Sequence, residues 1–425
     1  MDFFTLCIIS ASVFTLTALY FSAPRIFISN SNGQPEGTPA YQYILLKMKA
    51  VLNPPNADIA TLLKERADSN QRLVRALNLS NTFVSPDPAT HKEFVTQAQS
   101  LLTSAKRRGW THFQGIALEA ARWQITQLDQ SSQESPGIPF DSFIQNVTLI
   151  VVLVGLLRVD KPIDSFSYLD VCTVAKNITT LWALSKRPEP IPATLLEQLS
   201  NHLSELVGAE EEKFPYPLNF VVPAWETLWR VVATTVAYSY NDETVCEEFC
   251  TFNSSPSEDA FRGEKQLGED APHLSRHVSI KSVVNEAMRL HPPSKRIARV
   301  RRRAWCPSFI DIWTKPDNTL TRRKHHADVE RLLRCQDVWG LDAEKFRHSR
   351  HDTQLEGLPQ EREESMGFVF GHGPLRCIAA SWAPLAAAVI SGAIIESLRA
   401  DKYNLDSGEA IGGRDGWAGW SFNKI

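Results

Sequence analysis

The chain is short of several things. Its 425 residues include only seven cysteines, none in a CxxC pair, so neither a disulfide framework nor a zinc or redox motif can be assembled from their spacing. A reducing compartment follows. Charge of one sign is also missing: 45 basic against 48 acidic residues leave a formal net charge of −3. No global field then recruits nucleic acid or acidic lipid, and any such attraction has to be local. Internal repeats are absent, which excludes solenoid architectures. Strand-like stretches are few, limited to RIARV, FIDIW and a few residues near the C-terminus.

What is present begins with enough apolar material, 43% of residues, to bury a large core. One long run stands apart. Phe3 to Phe21 is uncharged and long enough to cross a bilayer as a helix. It lacks the basic flank of a signal peptide, and Pro24 sits where cleavage would be sought. Residues 1–22 are therefore expected to be a retained single-pass membrane anchor, and Arg25 just beyond it places the main body in the cytosol. Residues 23–39 are polar and carry Pro24, Pro35 and Pro39, which reads as a linker. Helical spacing dominates from residue 40 onward, for example in DIATLLKERADSNQRLVRAL and KEFVTQAQSLLTSAKRRG. The expectation is one large domain, 40–425, mainly α with minor β.

Three stretches carry candidate chemistry. In VVPAWETLW, Pro223 removes a backbone donor from a helical pattern and is expected to kink or open it. Glu226 and Thr227 follow at that weak point. They read either as an ordinary helix pair or as an acid and a hydroxyl that pass protons to a ligand. In SVVNEAMRLHPP, Glu286 and Arg289 are three apart and share a helix face. Val283, Ala287 and Leu290 leave little of that helix outside, so a buried carboxylate needs a further cation. Arg350 in LDAEKFRHSRH supplies one. In GFVFGHGPLRC, Gly371 and Gly373 permit close backbone approach, and Cys377 stands where the loop gives way to an apolar stretch. A helix N-terminus there would favour a thiolate, whereas most free cysteines are simply small buried residues. Residues 378–395, uncharged throughout, read as a buried core helix.

Taken in order, these residues resemble the cytochrome P450 family. Phe370, Gly373, Cys377 and Ala379 resemble its haem-binding pattern Phe-x-x-Gly-x-Arg-x-Cys-x-Gly, and Glu286 with Arg289 its Glu-x-x-Arg helix. The segment 346–351 is similar to its Phe-x-Pro-x-Arg-Phe stretch, and Pro223 to Thr227 to its oxygen-activating helix. The finer likeness is to fungal members of specialised metabolism. The resemblance implies a cytochrome P450 fold and haem b held through Cys377 as the thiolate iron ligand. Phe370, Gly373, Arg299 and Arg376 would lie about the haem. Glu286, Arg289 and Arg350 would form a structural triad, and Glu226 with Thr227 a proton relay. It further implies a monooxygenase acting on an apolar small molecule at the endoplasmic reticulum membrane, with electrons from NADPH through a separate reductase.

The departures from the pattern are specific. Leu375 stands where the family has Arg or His, with Arg376 beside it, so Arg299 is the expected replacement for that propionate contact. Ala379 replaces a glycine, His348 and His351 replace a proline and an aromatic, and HKEFVTQ lacks the usual tryptophan and arginine. Two alternatives therefore stay open: a non-catalytic binding protein that keeps the fold, and a haem-thiolate enzyme that rearranges or couples substrates without oxygen insertion. The basic clusters at 295–303 and 322–326 read as solvated loop charge or as a face for an acidic reductase.

Overall fold

Helices form where the sequence supplies both an apolar stripe and a start signal. In the computed structural model, which describes residues 39–131, 137–208, 214–263, 278–302, 322–352, 359–414 and 416–425, the first long helices are α1 (Ala40–Leu52), α2 (Ile59–Leu77), α3 (Pro88–Arg108) and α4 (Trp110–Ser131). Asp58 caps α2 by accepting from the Thr61 amide, and Asp87 caps α3 by accepting from the Ala89 and Thr90 amides. Next come β1 (Ile138–Pro139), α5 (Phe140–Ile150), α6 (Tyr168–Leu184), α7 (Ala193–Val207), α8 (Leu218–Ser239), α9 (Glu243–Ser254) and α10 (Ile280–Leu290). The strands β2 (Arg296–Arg302) and β3 (Arg322–Asp328) follow, then α11 (Ala383–Ala400), β4 (Tyr403–Asp406) and β5 (Ser421–Lys424). The chain is thus mainly helical with two small sheets. The predicted anchor and all but the last residue of the linker lie outside the described residues, as does FIDIW.

The core is organised around α11, which packs against α4, α8, α9 and α10. It is long and apolar enough to cross a membrane, yet Leu385 to Ile390 and Ala393 to Ile395 are buried among those helices. Each buried Leu, Val or Ile among them contributes about 1.5–3 kcal/mol by leaving water. The apolar run 140–156 is also interior, with a π-helical turn at Val151–Leu156 continuing α5. One antiparallel sheet has the order β1-β5-β4 and pairs Ile138 with Phe422 and Leu405 with Phe422.

The two basic clusters prove to be one structure. KRIARVRRR and RRKHH supply the two strands of the antiparallel pair β2-β3, in which Arg301 faces Arg323 and Arg302 faces Arg322. Like charges opposite one another weaken a ladder. Acids offset this charge: Glu65 of α2 takes the Arg301 guanidinium at 2.9 Å, and within the ladder Asp328 of β3 takes Arg296, its opposite residue, at 3.3 Å. Charge density hid the strand β3 from a reading based on hydrophobic alternation.

Pro223 lies inside α8, which continues through it. A proline at this position leaves the carbonyl four residues earlier, that of Asn219, without its helical donor. Asn81 Nδ2 donates to that oxygen at 2.8 Å, and the Asn219 side chain in turn binds Ser80. The expected weak point is therefore closed by a neighbouring loop. Replacing the buried Asn81 by Ala should lower stability by about 1–3 kcal/mol, because a carbonyl is left unpaired. Urea unfolding of Asn81→Ala, alone and combined with Pro223→Ala, checks this. The second change restores a backbone donor to Asn219, so it should recover most of the loss.

Candidate functional site

The most completely defined part of the site is a buried charge frame. Glu286 and Arg289 of α10 are fully buried and joined in two bonds, Nε to Oε2 at 2.7 Å and Nη2 to Oε1 at 2.8 Å. Arg289 also donates to the carbonyls of Leu333 and Ala343, and its guanidinium lies over Trp339. Arg350 reaches Glu286 at 3.4 Å while donating to the carbonyls of Trp339 and Asp342. The three residues of the proposed triad therefore meet. A fourth partner, His351, contacts Glu286 Oε2 at 3.0 Å, and the Arg347 amide donates to Oε1 at 2.9 Å. Burial pushes the Glu286 carboxyl up, but the bonds from Arg289 and His351 outweigh it and hold the group at about 2.

The cysteine loop is shaped by two left-handed glycines, Gly371 at φ 79° and Gly373 at φ 73°. The Cys377 amide donates to the Phe370 carbonyl at 2.8 Å and closes the loop. A side chain on Gly373 would strike Asn53, at the end of α1, at 2.7 Å. The space this glycine leaves is thus filled by Asn53, a different use from the approach to a flat ligand that the sequence suggested. Phe370 is half-buried and Arg376 is exposed.

Cys377 itself is accessible to solvent, yet burial pushes its thiol above the usual range, against the Ala379 amide and the Arg376 charge, which pull the other way. The helix-terminus argument for a thiolate does not hold here. Turns occupy 378–382, and α11 starts only at Ala383. Two open concavities, of about 510 and 410 Å³, are lined by other groups: α4 with Ile163 and Asp164, and residues 360–372 with Arg376. The chemistry of the loop is the stronger guide to the site.

Elsewhere in the core, two buried arginines lack full satisfaction. Arg299 of β2 donates from Nη1 to the adjacent Ala298 carbonyl, and its Nε has no partner among the described residues. Arg66 of α2 donates to the Thr82 carbonyl at 2.6 Å and to the Thr82 hydroxyl, and its Nε is likewise unpartnered. Burial lowers Arg66 to about 9, with Arg299 adding repulsion. Burial likewise lowers Arg299 to about 10, with Glu65 pulling the other way and Arg301 adding repulsion. Sequence reading found Arg299 and missed Arg66, which looked like one more charged residue on an amphipathic helix.

On α8, Glu226 is engaged otherwise than as a relay. Arg230 Nη2 holds Oε2 at 2.8 Å and Arg414 holds Oε1. Both oxygens balance guanidinium charge. Thr227, one residue on, is half-buried. Arg230 was legible in principle, four residues after Glu226 on the same helix; Arg414, from the C-terminal loop, was not.

No protein-family model and no curated protein matches this chain.

The charge frame makes an acid-sensitive fold. Glu286 has its folded value below the ordinary 4.5, so its contribution is fully present above that value and is lost as pH falls toward about 2. His291, bonded to the Tyr238 hydroxyl at 2.9 Å, is lowered by burial from 6.5 to about 4. It binds protons in the unfolded chain before the folded one, so stability falls as pH drops through that window. Urea midpoints measured from neutral to acid pH should decline in two stages, and His291→Gln should shrink the first, to which the buried His351, also lowered by burial, contributes as well.

Proposed function

We propose that the chain is a membrane-anchored haem-thiolate monooxygenase of the cytochrome P450 type, oxidising a small molecule in fungal specialised metabolism. The observation that carries the reading is Cys377, a solvent-accessible free cysteine at the end of a loop that two left-handed glycines shape and the Cys377 amide closes onto the Phe370 carbonyl. The residues present fit the group. Arg66 and Arg299, with unpartnered Nε atoms, would hold its carboxylates. Cys377 would ligate its iron and lose its proton on doing so, since metal coordination deprotonates a thiol outright.

When bound, haem would supply the activation of dioxygen, with electrons drawn from NADPH through a separate reductase. The chain's own residues do the rest. The frame of Glu286, Arg289, Arg350 and His351 fixes the segment leading to the cysteine loop. Thr227 offers a hydroxyl that can hold and pass a proton, and Glu226 sets the charge behind it. Because Glu226 is tied to two arginines, a second reading has support: the same centre could rearrange or couple a substrate without inserting oxygen.

The ferrous carbon monoxide spectrum tests the metal assignment. Wild type should show the red-shifted band of a thiolate-ligated haem and Cys377→Ala should not; a band in both, or in neither, overturns the reading. Arg66→Met with Arg299→Met should speed haem loss to an apoprotein acceptor while leaving that band in place in the bound fraction. Thr227→Ala separates the two chemistries. Under monooxygenation it should keep haem and divert NADPH electrons to hydrogen peroxide at the expense of product. Unchanged product per NADPH points to the second reading.

A further inference from the structure

Four basic side chains from separate parts of the fold gather about a single carboxylate. Arg230 and Arg414 hold Glu226 directly. Arg72 of α2 and Arg414 lie over the two sides of the Trp182 indole, at 4.8 and 4.7 Å from its centre. Arg72 also donates to the Ser185 hydroxyl at 2.5 Å, next to Lys186 just beyond α6. Arg230 donates further to the Pro293 carbonyl at 2.7 Å. Among the described residues, Glu226 is the one acid within ion-pair reach of any of the four. Among the described residues the cluster therefore carries four positive charges against one negative.

Such an imbalance is costly in a desolvated place. The Arg414 side chain is 10% exposed, and its Nε is buried without a partner among the described residues. Burial lowers Arg414 to about 10 in spite of Glu226, with Arg230 and Arg72 adding repulsion, and Lys186 is lowered by burial and then by Arg414 and Arg72. The four groups thus sense one another as a unit. Surface arginines would spread into water; these are held together by α2, α6, α8 and the loop at 411–414, where Gly412 and Gly413 take φ of 94° and 73°. Trp182, half-buried among them, holds Arg72 and Arg414 in place by stacking against their guanidiniums.

We infer that Arg72, Lys186, Arg230 and Arg414 form a binding site for the anionic group, carboxylate or phosphate, of a small-molecule ligand. The site stands on its own geometry. Resting on the haem-thiolate reading, it also makes the substrate an acid, where the sequence suggested only an apolar molecule. Glu226 then acts as a positioning residue that spaces Arg230 and Arg414.

The test uses the purified full-length chain and equilibrium dialysis with labelled dodecanoate, dodecyl phosphate and 1-dodecanol, which share one tail and differ in the head. At least one acid should bind about tenfold or more tightly than the alcohol, the scale of one charge-assisted bond. A tighter phosphate identifies a phosphate ester as the ligand class, and a tighter carboxylate identifies an organic acid. Arg72→Met with Lys186→Gln removes two cations not ion-paired to Glu226 and should bring acid and alcohol close to parity. Lys186→Gln alone, at an exposed position, should lower the preference even where the double variant fails to fold. Equal binding of acid and alcohol by wild type, or an undiminished preference in Lys186→Gln and the double variant, overturns the proposal. Haem absorbance on the same samples keeps the two readings apart. Acid preference without haem refutes the haem reading alone, and haem without acid preference refutes the anion site alone.

Discussion

A carboxylate that cannot reach water organises the C-terminal half of this protein. Glu286 is fully enclosed, and an unpaired charge there would cost several kcal/mol. Its partners come from α10 itself and from the segment 347–351, so the two are bound into one unit. Arg289 extends the unit to the carbonyls of Leu333, Ala343 and Lys345. Arg362, just before the cysteine loop, donates to the carbonyls of Val338 and Arg350, and Tyr41 of α1 reaches the Glu361 carbonyl. The loop bearing Cys377 therefore leaves from a fixed platform, and its two glycines need set only the last few residues.

Parts of this could be read from the chain and parts could not. Helices with an apolar stripe and an acidic cap, such as α2 after Asp58, were visible because both signals are local. The pairing of Glu286 with Arg289 was visible for the same reason. The need for Arg350 followed from counting charges on a helix with no free face. His351, Arg66 and Arg414 were not legible, since each acts across a long sequence separation with no periodic signal. The strand at 322–328 was hidden by its charge, and the carbonyl released by Pro223 meets its donor, Asn81, in a distant loop.

The near balance of charge in the whole chain conceals a marked local imbalance. Helix α2 sends Arg66 toward Arg299 and Arg72 toward Arg414, so one helix serves two places where cations outnumber acids. Of the nearby acids, Glu65 is bonded to Arg301 and reaches Arg299 only through its charge, and Asp58 caps the helix. A protein that keeps arginines buried and incompletely paired at two sites retains a capacity for anions that its net charge would never suggest.

The contact between Gly373 and Asn53 has a bearing on how the chain is made. Asn53 emerges from the ribosome early, and the cysteine loop it supports emerges near the end of synthesis. Helix α1 packs on β3 and on residues 329–339, so its buried face stays uncovered until about three-quarters of the chain is made, and Asn53 meets Gly373 later still. A protein built this way carries an uncovered apolar helix face through most of its synthesis. It would also respond to shortening at either end by losing the same loop.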